Sequence, residues 1–253
     1  MGQRMVVLGS AWALSSANRD NTFLLFDSPG GGLLIDCAGS PFHKLLKVGG
    51  DPGRLRGVIL THAHPDHIYG LPSLIHELWL WGREEPFYIY ADVRTQRAAR
   101  TLIGLFGLWD KPLPLELVPI AQEEGFLLLD TEEYTIYTTP VRHLGPTNAV
   151  RIIPKIGQRV VTYSSDTQPC EELVELAKGT DLLFLECTAE EPHRGHLTPE
   201  QAGEIAQEAG AKELILVHYL ESMAQDPEGT IARVKKFYEG PVRLAQDLEA
   251  YEL

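Results

Sequence analysis

Three imidazoles and a carboxylate crowd into one short run, Thr61-His62-Ala63-His64-Pro65-Asp66-His67, directly after the apolar stretch GVIL. In an extended segment His62 and His64, two apart, point to the same side. Asp66 and His67 then open the next helix, where the turn swings them towards a second position nearby. Neutral imidazole and carboxylate suit zinc and similar borderline metals, and a catalytic zinc needs about three protein ligands. This run alone offers four. The plain alternative is a solvated polar loop in which Asp66 only caps a helix.

Other candidates sit at the ends of apolar runs. Asp36 closes LLID and Glu186 closes LFLE. A buried acid needs a partner, so each either braces a ligand histidine from behind or fills an ordinary turn or cap. His196 precedes Thr198-Pro199-Glu200-Gln201, which reads as a capping box with proline at the first helical position. That cap fixes His196 on the loop before the helix, free to project from the scaffold, with His193 as a rival. His43 and His76 read as structural histidines, and Arg83-Glu84-Glu85 as a solvated turn.

The elements that must position these residues follow from hydropathy. MVVLG from Met5, TFLLF from Thr22, GLLID from Gly32 and GVIL from Gly57 read as buried strands. Helical patterns run from His67 to about Trp81 and from Arg94 to about Leu105, with the strand FYIYA between them. LELV, GFLLL, YTIYTT, NAVRII and RVVTY make the middle strand-rich. The last third alternates: a helix over Glu171 to Lys178, DLLFLE, a helix from Pro199 stopped at Gly210, ELILVH, and a helix from Pro227 to about Tyr238. Two mixed blocks, each with its own sheet, predict an α/β fold of four layers, αββα, with residues 1–253 as a single domain.

Composition narrows the function. The chain has 253 residues, a net charge of −13 and 44% hydrophobic residues, enough for a full core. An acidic excess repels a phosphate backbone, so nucleic acid is disfavoured as a partner, though it stays open as a substrate. No stretch approaches the ~20 apolar residues of a membrane helix. Arg4 followed by MVVLGSAWALSSA loosely mimics a secretory signal, but Gly9 and Ser10 interrupt the run and favour a strand and turn. Cys37, Cys170 and Cys187 are too scattered for a disulfide framework, which points to a cytoplasmic home.

The motif His62-x-His64-x-Asp66-His67 after a strand resembles that of the metallo-β-lactamase fold superfamily. His143 in PVRHLG, Asp166 in VTYSSDT and His218 in LILVHY follow in the family's order, each at the end of a β-type run. LIDC, ILTHAHPDHIYGLP, SSDTQPCEEL and GHLTPEQAGEIAQEAGAKELILVH are most similar to the ribonuclease Z branch. The resemblance implies two divalent metal ions, zinc with manganese or iron as alternatives. One would take His62, His64 and His143, the other Asp66, His67 and His218, and Asp166 would bridge them. Taken singly, each of these could be a structural histidine or a turn aspartate.

The resemblance further implies catalysis by His196, as general acid or transition-state stabiliser, together with Asp66. Leu197 intervenes between His196 and Thr198, a departure from the branch's Gly-His-Ser/Thr segment. Ribonuclease Z enzymes carry a long basic arm between the positions matched by His143 and Asp166. Here that interval has room for only two short strands and a turn. The expectation is therefore a phosphodiesterase using an activated hydroxide on a small or nucleotide-like diester. Alternatives are RNA 3′-end cleavage, an ester, lactone or thioester hydrolase, and a metal-stabilised binding scaffold. A homodimer through Trp79-Leu80-Trp81 is also open, with a core location as the other reading.

Overall fold

The computed structural model describes residues 2–155 and 159–253. Six strands, β1 (Arg4–Gly9), β2 (Phe23–Asp27), β3 (Leu33–Ile35), β4 (Gly57–Ile59), β5 (Phe87–Ala91) and β6 (Leu115–Pro119), form most of one sheet. The other sheet holds β7 (Phe126–Asp130), β8 (Tyr134–Pro140), β9 (Asn148–Pro154), β10 (Val161–Tyr163), β11 (Leu182–Cys187), β12 (Glu213–Tyr219) and β13 (Val242–Leu244). The last strand, β14 (Glu249–Glu252), returns to the first sheet and pairs antiparallel with β1. Both sheets are mixed and have seven strands, as the four-layer expectation requires.

Alternation within the strands explains why they read as unbroken apolar runs. In β1, Met5 and Val7 enter the layer between the sheets, while Val6 and Leu8 face the outer helices. Both faces are buried, so neither can be polar. The inter-sheet layer also takes Phe26, Ile59, Tyr134, Ile152, Phe184 and Ile215.

Helices cover each outer face. On the first sheet lie α1 (Pro41–Lys47), α2 (Pro65–Ile68), α3 (Leu71–Leu80) and α4 (Val93–Leu105). On the second lie α5 (Glu171–Ala177), α6 (Pro199–Glu208), α7 (Glu221–Gln225) and α8 (Pro227–Val234). No described helix is long and apolar enough to cross a membrane.

Several expectations need correction. The single helix from His67 to Trp81 is two, broken at Tyr69-Gly70. The Gly70 N–H bonds the Cys37 carbonyl at 2.9 Å, and a Cβ at Gly70 would lie 2.9 Å from that same oxygen. Pro72, which has no N–H to extend a helix, is tolerated at the start of a new one. The break lets α2 aim Asp66 and His67 independently of α3. The helix from Pro227 ends at Val234 rather than Tyr238. Helices α1 and α7 and strands β13 and β14 are short, at seven, five, three and four residues, and are not expected from the sequence. Arg83 is no solvated side chain: it is buried and donates to the carbonyls of Pro52, Gly53, Glu85 and Pro86.

The interval from His143 to Asp166 contains β9 and β10, with no inserted arm among its described residues; the turn expected between them falls at 156–158, outside those residues. Strands β3 to β6 run parallel, as do β10 to β12. Ligand sites of open α/β sheets gather at such carboxyl ends.

Candidate metal centre

Each chemically interesting residue occupies a carboxyl end. Asp36 follows β3, the Thr61–His67 run follows β4, His143 follows β8 and Asp166 follows β10. Glu186 and His218 lie near the ends of β11 and β12. The β11–β12 register steps from Glu186 opposite Val217 to Cys187 opposite Tyr219, so His218 is an extra, unpaired residue. Such a bulge re-aims a side chain.

Backbone strain concentrates here. Among the described residues four non-glycine residues have positive φ, and three are Asp36 (63°), Ser165 (54°) and His218 (51°). Left-handed backbone at a β-carbon costs about 1–3 kcal/mol. The surrounding hydrogen bonds hold it in place. Asp36 accepts from the Thr61 N–H (2.8 Å), the Thr61 hydroxyl (2.9 Å) and His67 Nδ1 (2.7 Å). Ser165 donates to Thr61 Oγ1 at 2.8 Å, and the His218 N–H donates to Thr22 Oγ1 at 3.0 Å.

These contacts set the histidine tautomers. His62 Nδ1 lies 3.0 Å from Thr61 Oγ1, His218 Nδ1 lies 2.7 Å from Thr188 Oγ1, and His143 Nδ1 lies 2.8 Å from the Gly195 carbonyl. With the proton on Nδ1, each ring turns a bare Nε2 inward. Gly195 has φ 92°, and a Cβ there would stand 3.0 Å from His143 Nδ1, so glycine alone fits. His64 uses its other nitrogen: Nδ1 faces His143 Nε2 at 3.1 Å.

Asp166 stands between two donor groups. Its Oδ2 lies 3.8 Å from His62 Nε2 and 3.9 Å from His143 Nε2. Its Oδ1 lies 3.5 Å from His67 Nε2 and 3.6 Å from His218 Nε2. Asp66 Oδ2 completes the second group, 3.4 Å from His67 Nε2 and 3.3 Å from His218 Nε2. Bonds of about 2.0–2.1 Å to a tetrahedral zinc would space its ligands roughly 3.3–3.4 Å apart. The donor spacings approach that edge. His62, His64, His143 and Asp166 form one set able to hold a metal ion, and Asp66, His67 and His218 another.

The polar bookkeeping agrees with this fit. His62 Nε2, His67 Nε2 and Asp166 Oδ1 are buried without a hydrogen-bond partner, each omission costing about 1–3 kcal/mol. A cation in each donor group would satisfy them, one at His62 Nε2 and the other at His67 Nε2 and Asp166 Oδ1. Burial, aided by the nearby imidazoles, pushes His62 well below the usual histidine range, and burial lowers His64 and His143, keeping their lone pairs free. For His67, burial also acts downward, but Asp166 and Asp36 outweigh it and hold the ring well above that range. Burial would raise both carboxyls. The neighbouring His218 and His67 instead keep Asp66 and Asp166 low and ionised.

His196 projects from its loop as the capping box requires, that box being present at Thr198 and Gln201. Its Nδ1 lies 3.0 Å from Glu186 Oε1, and Glu186 outweighs burial to raise its pKa. Glu186 therefore partners His196, not one of the histidines in the two donor groups. It also accepts from the N–H groups of Thr167, Thr188 and Leu197. His196 comes close enough to Asp166 and His218 to form a third set of donors. His193 is exposed at the cleft edge, and His43 and His76 are exposed on α1 and α3, away from the site. Trp79 packs on the core, whereas Leu80 and Trp81 are exposed.

Sequence reasoning missed Thr22 and Thr188, whose partners are remote in the chain. Thr61, Ser165 and Gly195 were within reach, each lying inside a quoted motif.

The model of the beta-lactamase superfamily domain matches residues 32–219. Ribonuclease Z of Methanothermobacter thermautotrophicus is 28% identical, over 83% of this chain and 84% of that protein. The metallo-beta-lactamase fold protein YhfI from Bacillus subtilis superposes with a TM-score of 0.83 at 25% identity, over 99% of both chains. The short form of human tRNase Z shares the fold, with a TM-score of 0.78 at 24% identity over 98% of both chains. The chain belongs to the β-lactamase superfamily and is a hydrolase of the metallo-β-lactamase fold, with a histidine and aspartate cluster suited to metal ions.

Proposed function

We propose that the protein is a binuclear metal-dependent phosphodiesterase acting on a small or nucleotide-like phosphodiester. One observation carries the reading: Asp166 turns one oxygen towards His62 and His143 and the other towards His67 and His218. His62, His64 and His143 would hold one divalent ion, Asp66, His67 and His218 the other, with Asp166 shared. The metals would be zinc, with manganese or iron as alternatives. Bound there, two such ions acidify a water and neutralise phosphoryl charge.

The chain's own residues supply the rest. Asp66 lines the cleft and, kept ionised, accepts a hydrogen bond that orients the attacking water. His196, fixed through Nδ1 by Glu186, presents Nε2 to the departing oxygen and donates its proton there. Substrate size follows from charge. Glu190 and Glu191 line the same cleft, the whole chain carries −13, and no basic arm is inserted among the described residues between His143 and Asp166. We read residues 1–253 as one domain working in a reducing, cytoplasmic setting, where the buried free thiols of Cys37, Cys170 and Cys187 persist.

Bis(p-nitrophenyl) phosphate tests the reading. Its turnover is expected to disappear with a chelator and return with Zn²⁺ or Mn²⁺. Rapid lactone or thioester cleavage without diester turnover would refute it. The likeness to ribonuclease Z favours RNA 3′-end cleavage as a second reading, which efficient trimming of a precursor transfer RNA would establish.

A further inference from the structure

We propose that Trp12 forms the stacking wall of a nucleobase subsite, so that the substrate is a nucleoside phosphodiester carrying a single phosphate. The proposal rests on the phosphodiesterase reading and names the substrate class for that same site. The cleft beside the metal donors has a volume of about 580 Å³, within the range of roughly 300–1,000 Å³ typical of small-molecule sites. Trp12 and Ala13 line it together with His64, Asp66, Asp166, His196 and His218. Trp12 is half-buried, packs into none of the three hydrophobic cores, and meets no other aromatic ring among the described residues.

The loop that presents Trp12 is pinned at its base. Asp247 Oδ1 accepts from the Ser10 N–H (2.9 Å) and hydroxyl (2.8 Å), and its Oδ2 from the Asp20 N–H (2.9 Å) and Lys44 Nζ (2.7 Å). Ala11 N–H bonds the Asp20 carbonyl at 2.8 Å, and Asn21 Nδ2 holds the Trp12 carbonyl at 2.6 Å. A Cβ at Gly9 would fall 1.9 Å from the Asn21 carbonyl, so the two loop ends can meet only through glycine. The indole is thus carried on a preformed backbone, and binding need not order it.

An indole face stacks on any planar base, whichever base it is. Charge then limits the phosphate count. Glu190 is paired with Arg233 at 2.7 Å, but Glu191 has no ion pair among the described residues. A second phosphate beside Glu191 would be repelled, while the amino group of a base can donate to it.

Calorimetric titration of the metal-loaded protein with adenosine 5′-monophosphate and with ribose 5-phosphate isolates the base. We expect the nucleotide to bind roughly 10- to 100-fold more tightly, the range for one stacked base. In Trp12→Ala that advantage shrinks to about threefold or less, and in Trp12→Phe part of it returns. Equal affinities in the native protein, or an unchanged advantage in Trp12→Ala, overturn the subsite while diester turnover persists. If neither compound binds and bis(p-nitrophenyl) phosphate is not cleaved, the phosphodiesterase reading itself fails. A decaadenylate that binds more tightly than the mononucleotide contradicts the single-phosphate assignment.

Discussion

Asp166→Asn is expected to lower bis(p-nitrophenyl) phosphate turnover by at least ~10³-fold, about 4 kcal/mol of transition-state stabilisation. The native carboxylate is almost wholly buried, and it places one oxygen 3.8–3.9 Å from His62 and His143 and the other 3.5–3.6 Å from His67 and His218. Asparagine keeps the volume but removes the charge, and its NH₂ turns donors towards nitrogen lone pairs. Without the shared anion, a pair of cations held by the two clusters repel each other uncompensated. Metal content per chain, read by elemental analysis beside the kinetics, should fall in parallel. Full metal content with turnover within tenfold of native would mean that Asp166 is not the shared ligand.

His196→Ala separates proton transfer from metal binding. It should retain the native metal content yet slow phosphodiester turnover by ~10²–10⁴, the usual contribution of a positioned general acid. Its Nδ1 is engaged by Glu186 at 3.0 Å, which leaves Nε2 as the only nitrogen able to serve the substrate. A substrate with a good leaving group, such as p-nitrophenolate, should show the smaller loss, and one with a poor alkoxide leaving group the larger. Unchanged turnover on both would make His196 a plain loop residue. Loss of metal would instead make it a ligand, since it also approaches Asp166 and His218.

The parts of this site differ in how visible they are from sequence. Thr61–His67 announces itself because four donors share one short run, and the apolar stretch GVIL before it fixes their direction. His143, Asp166 and His218 are each ambiguous alone. Family resemblance, not residue pattern, singled them out. The bulge that aims His218 into the site depends on register with β11, a property of two strands that neither sequence encodes by itself. Thr188 and Gly195 orient His218 and His143 across long stretches of chain, pairings beyond the reach of any local pattern.

The fold shows the same division. Runs such as MVVLG were legible as strands because both faces are buried, so apolar residues occupy every position. Val242–Leu244 and Glu249–Glu252, at sheet edges, have solvent on one side and mix charged residues into short strands. Trp12 lay inside a run that resembled a leader segment. Only the pinning of Ser10 and Asp20 by Asp247, with Ala11 bonded to Asp20 and Asn21 to Trp12, places it on the wall of the cleft.

Anomalous diffraction from crystals grown with zinc addresses the pair of cation positions most directly. Two peaks are expected, one enclosed by His62, His64 and His143 and the other by Asp66, His67 and His218, with the Asp166 carboxylate between them. A single peak, or peaks elsewhere in the molecule, would contradict the two-metal assignment.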